Sequence, residues 1–375
     1  MLITDKSRLE NFSAPYRLWQ GVPSIAITKK GRIFVAFYTG GTHEGIGNYS
    51  LLLKSDDGVH FGEAIAAVYD AAHRAFDPCL WLDPLGRLWF VWAWAPEHAV
   101  YASICNDPDA EALSWSEPRV IGADVMMNKP TVLSTGEWLF PMAVWHRSIC
   151  KGVFLSDKKD EDRRAFAYQT ADEGKNFVRL GGADIPKRNC DEHMILERRD
   201  GSLAMYIRTT YGIGVSYSYD RGLTWTEGED SGLGGPNSRF YIGRLQSGRV
   251  LLINHHETNT RNNLTALLSE DEGKTWKYKL LLDERFVSYP DACQDENGYI
   301  YVVYDYERGC AVKSLKEAYA NAREVVYAKF TEEDVIQGAL VSEESKLKCT
   351  VTRLGRYARE QENPYDEENF AGKKD

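Results

Sequence analysis

At 375 residues with 43% hydrophobic content, the chain can bury a large core, either as two or three average domains or as a single all-β unit. A formal charge of −10 argues against nucleic acid as the main partner, because binding a polyanion needs a surplus of Lys and Arg on the contact face; a small anion held by a few local arginines stays open. The opening MLITDKSRLENF lacks the basic-then-apolar run of a secretory signal, and no stretch nears the roughly 18 apolar residues of a membrane span, so a soluble cytoplasmic protein without a membrane partner is expected.

Aromatics at 12%, with 10 Trp and 21 Tyr, lean toward strands. In chain order, six stretches share one pattern: VPSIAITKKGRIFVAFY, DPCLWLDPLGRLWFVWA, KPTVLSTGEWLFPMAVW, DEHMILERRDGSLAMYIRT, RFYIGRLQSGRVLLINH and YPDACQDENGYIYVVYD. Each is a short strand, a turn at a glycine and a second strand with apolar alternation, the signature of a β-hairpin. The turn glycines are Gly31, Gly86, Gly136, Gly201, Gly248 and Gly298, spaced by about fifty residues, which leaves each unit room for four strands. The expected fold is therefore all-β: a six-bladed β-propeller with four-stranded antiparallel blades. The segment 313–338 is expected to add a short helix and a closing strand, and the N-terminal dozen residues an outer strand of the last blade. The propeller domain is placed at 1–340, with a charged surface tail at 341–375.

A second repeat runs out of phase with the hairpins. SYDRGLTW (218–225) and SEDEGKTW (269–276) share S-x-D-x-G-x-T-W, TADEGKNF (170–177) and KSDDGVHF (54–61) are looser copies, and blade two keeps a remnant near NDPDAEALSW. The hydroxyl and carboxylate suit turn backbone, the glycine accepts positive φ, and the aromatic packs inward.

Superposing the hairpins puts one residue of each blade at the same place, the start of the innermost strand beside the central channel. Nine residues before the glycine stand Val22, Asp77, Glu192, Arg239 and Tyr289, and matching on the proline of the shorter third hairpin adds Lys129. Five of these six are polar or ionisable, where a purely structural strand would start apolar. Strand ends converging on one mouth are a natural binding site.

The four turns resemble the Asp-boxes of the sialidase superfamily, and their order with the hairpins is similar to that family's six-bladed propeller over roughly residues 15–310. RNNLTALLSEDEGKTW and VSYPDACQDENGYIYVVYDYE resemble that family's Arg-x-N-L-T run, Asp-box and Tyr-x-Asp strand; DEHMILERRDGSLAMYIRT is similar to the segment bearing the partner glutamate. The resemblance implies a nucleophilic Tyr289 with Glu192 as its base, and Arg208 and Arg261 holding a substrate carboxylate. The chemistry is coherent. An anomeric carbon bearing a carboxylate repels an anionic nucleophile, whereas a phenol that passes its proton to a nearby carboxylate can attack. Guanidinium forks match carboxylates in a way lysine does not.

Blade one departs from the family pattern. GVP stands where an Arg-Ile-Pro motif belongs, and YTGGTHEGIGNY, with His43 and Glu44, stands where an acid/base aspartate belongs. Substitutes are Arg17 and Gln20 just upstream, and Arg74 and Asp77 in HRAFDP. Asp77 is the preferred general acid and Glu44 the runner-up. Arg239, Lys129, His43 and His193 complete the substrate-facing candidates. The histidines match no metal-ligand spacing, the seven scattered cysteines form no CxxC pair, and neither a metal, a disulfide framework nor a cofactor is expected.

The leading expectation is a retaining, sialidase-like exo-glycosidase for an acidic mono- or oligosaccharide. The rivals are a propeller that binds sugar without hydrolysis, and a glycosidase or lyase for uronic or neutral sugars in which Asp77 and Glu192 act as paired carboxylates.

Overall fold

The computed structural model describes residues 1–14, 17, 19–40, 44–123, 125–145, 163–306 and 324–354. These build six antiparallel sheets in chain order, five of four strands and the first of five. The innermost strands begin blades one to six at Trp19–Ile27, Arg74–Leu82, Thr131–Val132, Met194–Glu197, Tyr241–Arg244 and Val287–Gln294. Each pairs through the expected glycine turn with the second strand of its blade.

The second strands show why the sequence folds this way. In Ile33–Gly40, Ile33, Val35 and Phe37 enter a core shared with blade six, while Phe34 and Ala36 enter a core shared with blade two. Side chains alternate between the two faces of a strand, and here both faces are covered by a neighbouring blade, so the strand reads as a continuous apolar run. The rule repeats around the ring: six buried clusters each straddle one pair of adjacent blades, and blade six with blade one is such a pair. The tryptophan run of blade two serves this packing. Trp81 and Trp89 meet Trp138 of blade three edge-on at 4.9 and 6.3 Å, while Trp94 at the strand end stacks on His73 at 4.8 Å.

The four Asp-boxes close turns on the face opposite the mouth. In blade four Ser218 Oγ donates to Asp220 Oδ1 at 2.8 Å and accepts from Gly222 N at 2.7 Å, while Thr224 N donates to Asp220 Oδ1 at 2.9 Å. Hydrogen bonds from Thr224 hold the Asp220 carboxyl down at about 2. Trp225 then packs into the core between blades three and four. Gly222 sits at φ 93, and an L side chain in that conformation costs about 1–2 kcal/mol. Gly222→Ala is accordingly expected to lower unfolding stability by that amount in urea titration, with the slope unchanged; no change would remove the conformational account of the box glycine.

Two expectations about the chain ends are corrected. Leu2–Ile3 pairs with Ala66–Val68 as a fifth strand of blade one, not with the last blade. Lys346–Arg353, inside the expected tail, is the outermost strand of blade six, so the boundary at 340 does not hold. Its sequence KLKCTVTR hides the strand because an outer edge faces water on one side and is protected by charge. In place of an Asp-box, blade six carries the helix Glu332–Gln337, where Thr331 and Asp334 form a reciprocal capping box. No helix among the described residues is long and apolar enough to cross a membrane.

Candidate active site

Four of the six rim residues share an unusual backbone. Val22, Asp77, Glu192 and Tyr289 have φ of 51, 49, 43 and 57°, a left-handed conformation that side chains bearing Cβ seldom adopt. In three of them the strand bulges there, the register slipping between Gly21 and Ser24, Phe76 and Cys79, and Ser288 and Asp291. A proline follows each of these three, so the bend is fixed where the ladder loses a donor. Bulges re-aim side chains and local strain gathers at functional sites, and here both recur at the offset singled out by the hairpin alignment.

At the mouth, Tyr289 Oη donates to Glu192 Oε1 at 3.0 Å. Arg208 Nη1 lies between them, donating to Glu192 Oε1 at 2.6 Å and to Tyr289 Oη at 3.0 Å. All three side chains are buried. Burial by itself would lower the pKa of Arg208, but Glu192 and Tyr289 carry it above its ordinary value, so the guanidinium stays charged. Arg261 stacks over the Tyr289 ring, its Cζ 5.3 Å from the centroid. Arg208 and Arg261 meet on one atom: each donates an Nη2–H to the main-chain oxygen of Asn237, at 3.1 and 3.2 Å. The other oxygen of Glu192, Oε2, is buried and has no hydrogen-bond partner among the described residues.

Glu192 is held firmly from below. Cys190, Asp191 and Glu192 are three consecutive left-handed residues at φ 56, 53 and 43°. Arg188 Nη1 grips both oxygens of Asp191 at 2.9 Å, and Asn128 Nδ2 donates to the Glu192 and His193 carbonyls at 2.7 and 3.1 Å. Behind Tyr289 lies an apolar wall that includes Trp19, Val22, Tyr38, Phe76 and Met127.

On the blade-two side, Arg74 Nη2 donates to Tyr38 Oη at 2.9 Å and to Glu44 Oε2 at 2.8 Å, and its guanidinium covers the Phe76 ring at 4.3 Å. Burial opposes its charge, and Tyr38, Glu44 and Asp77 more than restore it. Asp77 is 4% exposed, whereas Glu44 is partly open to solvent.

Other candidates stand elsewhere. Arg239 is fully buried inside the channel, donating to Asn128 Oδ1, Pro23 O and Met127 O at 2.7, 3.1 and 2.8 Å, with Asp291 Oδ1 at 3.6 Å. Lys129 pairs with Asp291 in the same plug, and on its far side a cavity of about 390 Å³ opens toward the Asp-box face. Arg17 and Gln20 reach out to the last blade, donating to Thr352 Oγ1 and Thr352 O at 3.0 and 3.3 Å, so they fasten the ring rather than face the mouth. His43 lies outside the described residues. Reasoning from sequence passed over Asn237, Asn128 and Asp291; of these only Asp291 falls inside the hairpin pattern, two residues after the tyrosine.

His193 is buried between blades three and four, its Nε2 donating to Phe166 O at 2.8 Å, and desolvation pushes its pKa down to about 4. His255 is likewise lowered to about 4, with Asn262 O at 3.0 Å from its Nδ1. Both histidines bind a proton at higher pH when unfolded than when folded, so stability is complete above about pH 6.5 and falls as pH drops toward 4. The loss approaches roughly 3 kcal/mol per histidine at its upper bound. Melting at pH 7 and pH 4.5 should show the drop, and His193→Gln should flatten it; a melting temperature independent of pH in this window would contradict the burial argument.

Residues 31–302 match the family model described as a BNR repeat-like domain. No curated protein matches the chain. Among solved structures, the Hadza microbial sialidase Hz136 aligns with a TM-score of 0.62 at 17% identity over 78% of this chain and 64% of its own, so the chain spans under two thirds of that protein. The NanB sialidase from Streptococcus pneumoniae aligns with a TM-score of 0.63 at 14% identity, over 86% of this chain and 70% of its own. The leech intramolecular trans-sialidase, complexed with 2,7-anhydro-Neu5Ac, gives 0.65 at 15% identity, over 88% and 70%. Identities this low carry the propeller fold and nothing finer, whereas the match to the family model covers most of the blades. The chain belongs to the BNR repeat-like domain family.

Proposed function

We propose that the chain is a retaining exo-glycoside hydrolase of sialidase type that acts on a carboxylate-bearing sugar. The observation that carries the reading is the triad at the mouth: a phenol 3.0 Å from a carboxylate oxygen, with one guanidinium bonded to both. In the first step Tyr289 Oη bonds to the anomeric carbon and passes its proton to Glu192, while Asp77 protonates the leaving oxygen as the glycosidic bond breaks. In the second, Asp77 takes a proton from water, the water oxygen bonds to the anomeric carbon, and Tyr289 leaves, recovering its proton from Glu192. Arg261, with what remains of the donors of Arg208, faces the substrate carboxylate; the apolar wall behind Tyr289 keeps water from the reacting phenol.

The test is covalent trapping. A difluorinated acidic sugar with a good leaving group slows the second step, and peptide mass spectrometry is expected to find the glycosyl group on the peptide containing Tyr289. An adduct on Asp77 or Glu192 would favour paired-carboxylate chemistry on uronic or neutral sugars. A second reading, a propeller that binds sugar without cleaving it, draws on blade one, where Val22 occupies the rim and Arg17 and Gln20 turn away to Thr352. Binding of an acidic sugar without release from any aryl glycoside would establish it.

A further inference from the structure

Asn237 arrives at the mouth on a glycine-rich loop, 231–237. The loop is pinned at its start, where Ser231 Oγ donates to Ile213 O at 2.6 Å, and in its middle, where Asn254 Nδ2 donates to Gly234 O at 3.3 Å. It also presses on the turn of the neighbouring hairpin: a Cβ added to Gly212 would lie 2.4 Å from the Gly234 oxygen. The loop is therefore a fitted part of the site wall.

The amide of Asn237 has only one permitted orientation. Arg208 Nε donates to Oδ1 at 2.6 Å, and a guanidinium has no acceptor, so the atom facing it must be the oxygen. Both Nδ2 hydrogens are thereby turned away from Arg208. The hydrogen bonds of Asn237 with the described residues all fall on its two oxygens, none on Nδ2, and the residue is half-buried. Beside it the main-chain oxygen of the same residue fixes Nη2 of Arg208 and of Arg261. Arg208 has spent most of its donors within the protein, on Glu192, Tyr289 and both oxygens of Asn237.

We propose that Asn237 is a substrate-binding and specificity-determining residue, its locked side-chain amide donating to the carboxylate of the acidic sugar alongside Arg261. The inference rests on the hydrolase reading above. It assigns the anion site a neutral, rigid donor on the connection between blades four and five, in addition to its guanidinium groups. A donor fixed before binding loses little entropy when the ligand arrives, and hydrogen bonds to a charged group are among the stronger ones.

Asn237→Asp separates this role from mere alignment of Arg208. Its carboxylate still accepts from Arg208 Nε, but it offers no donor and repels an anion. The expected result is a KM for an acidic aryl glycoside raised about 10- to 100-fold, with the KM for the corresponding methyl ester changed by less than about threefold and the melting temperature near that of the wild type. Gly212→Ala, which forces the loop outward without touching ligand, should raise the same KM in the same selective way. Equal effects on acid and ester, or no effect on either, would overturn the assignment while leaving the hydrolase reading intact. A wild-type protein that neither cleaves nor binds any acidic sugar, by calorimetry with an unsaturated acidic-sugar inhibitor, would overturn the hydrolase reading and this inference with it.

Discussion

Tyr289→Phe is expected to abolish turnover of acidic aryl glycosides, reducing kcat/KM by at least about a thousandfold, which corresponds to about 4 kcal/mol of transition-state stabilisation. The variant removes one oxygen and leaves the ring in its apolar surroundings with Val22, Phe76 and Met127. Glu192 Oε1 keeps its bond from Arg208 at 2.6 Å, so no uncompensated charge is created and stability should change by less than about 1 kcal/mol. Binding of an acidic sugar should survive, because Arg261 and Arg208 remain. A steady-state assay beside an unfolding curve decides the matter. Turnover above about a tenth of wild type would show that the phenol is not the nucleophile and move the chemistry to Asp77 and Glu192.

Arg239→Met is expected to have the largest effect on folding. Arg239 is 0% exposed and ties three blades together, through Pro23 of blade one, Met127 and Asn128 of blade three, and its own place in blade five. Methionine fills the volume but donates nothing. Two carbonyls and an amide oxygen lose their donor, and Asp291 loses one of its two cations, with only Lys129 remaining. Removing one partner from such a buried charged network costs about 3–5 kcal/mol. The urea midpoint should fall accordingly, or the variant should be recovered only as aggregate; a midpoint within about 1 kcal/mol of wild type would show that the plug is not a structural hub. Arg239→Lys should recover only part of the loss, since a single ammonium cannot reach three acceptors in different blades.

The ring was legible in the sequence because its cause is periodic. Six hairpins with glycine turns and four turn motifs are set by local backbone chemistry, and local chemistry leaves a spaced pattern. The rim offset was legible for the same reason, and it grouped Glu192, Asp77 and Tyr289 at one backbone position without any knowledge of three-dimensional contacts. The offset could not distinguish which side chains look outward. Arg239 and Lys129 share it with Glu192, yet their charge is met inside the channel by Asp291 and by carbonyls of distant blades. Such pairing is long-range and has no period. Asn237 was hidden for a related reason: it stands on a connection between blades, and its role comes from where the loop lands on Arg208 and Arg261. The outer strand Lys346–Arg353 was missed because one-sided burial and an edge rich in lysine look, in one dimension, like a solvated tail.

The left-handed bend at Val22, Asp77, Glu192 and Tyr289 belongs to the main chain, and at three of the four to a proline behind it. An aliphatic, two acids and a phenol all occupy the same kind of socket, so the socket sets direction and the occupant sets chemistry. Exchanging the occupant leaves the frame standing, and the rim can be refitted one position at a time. At Val22 the same bend serves packing instead, its side chain fully buried in the apolar cluster of Tyr38, Phe76 and Tyr289.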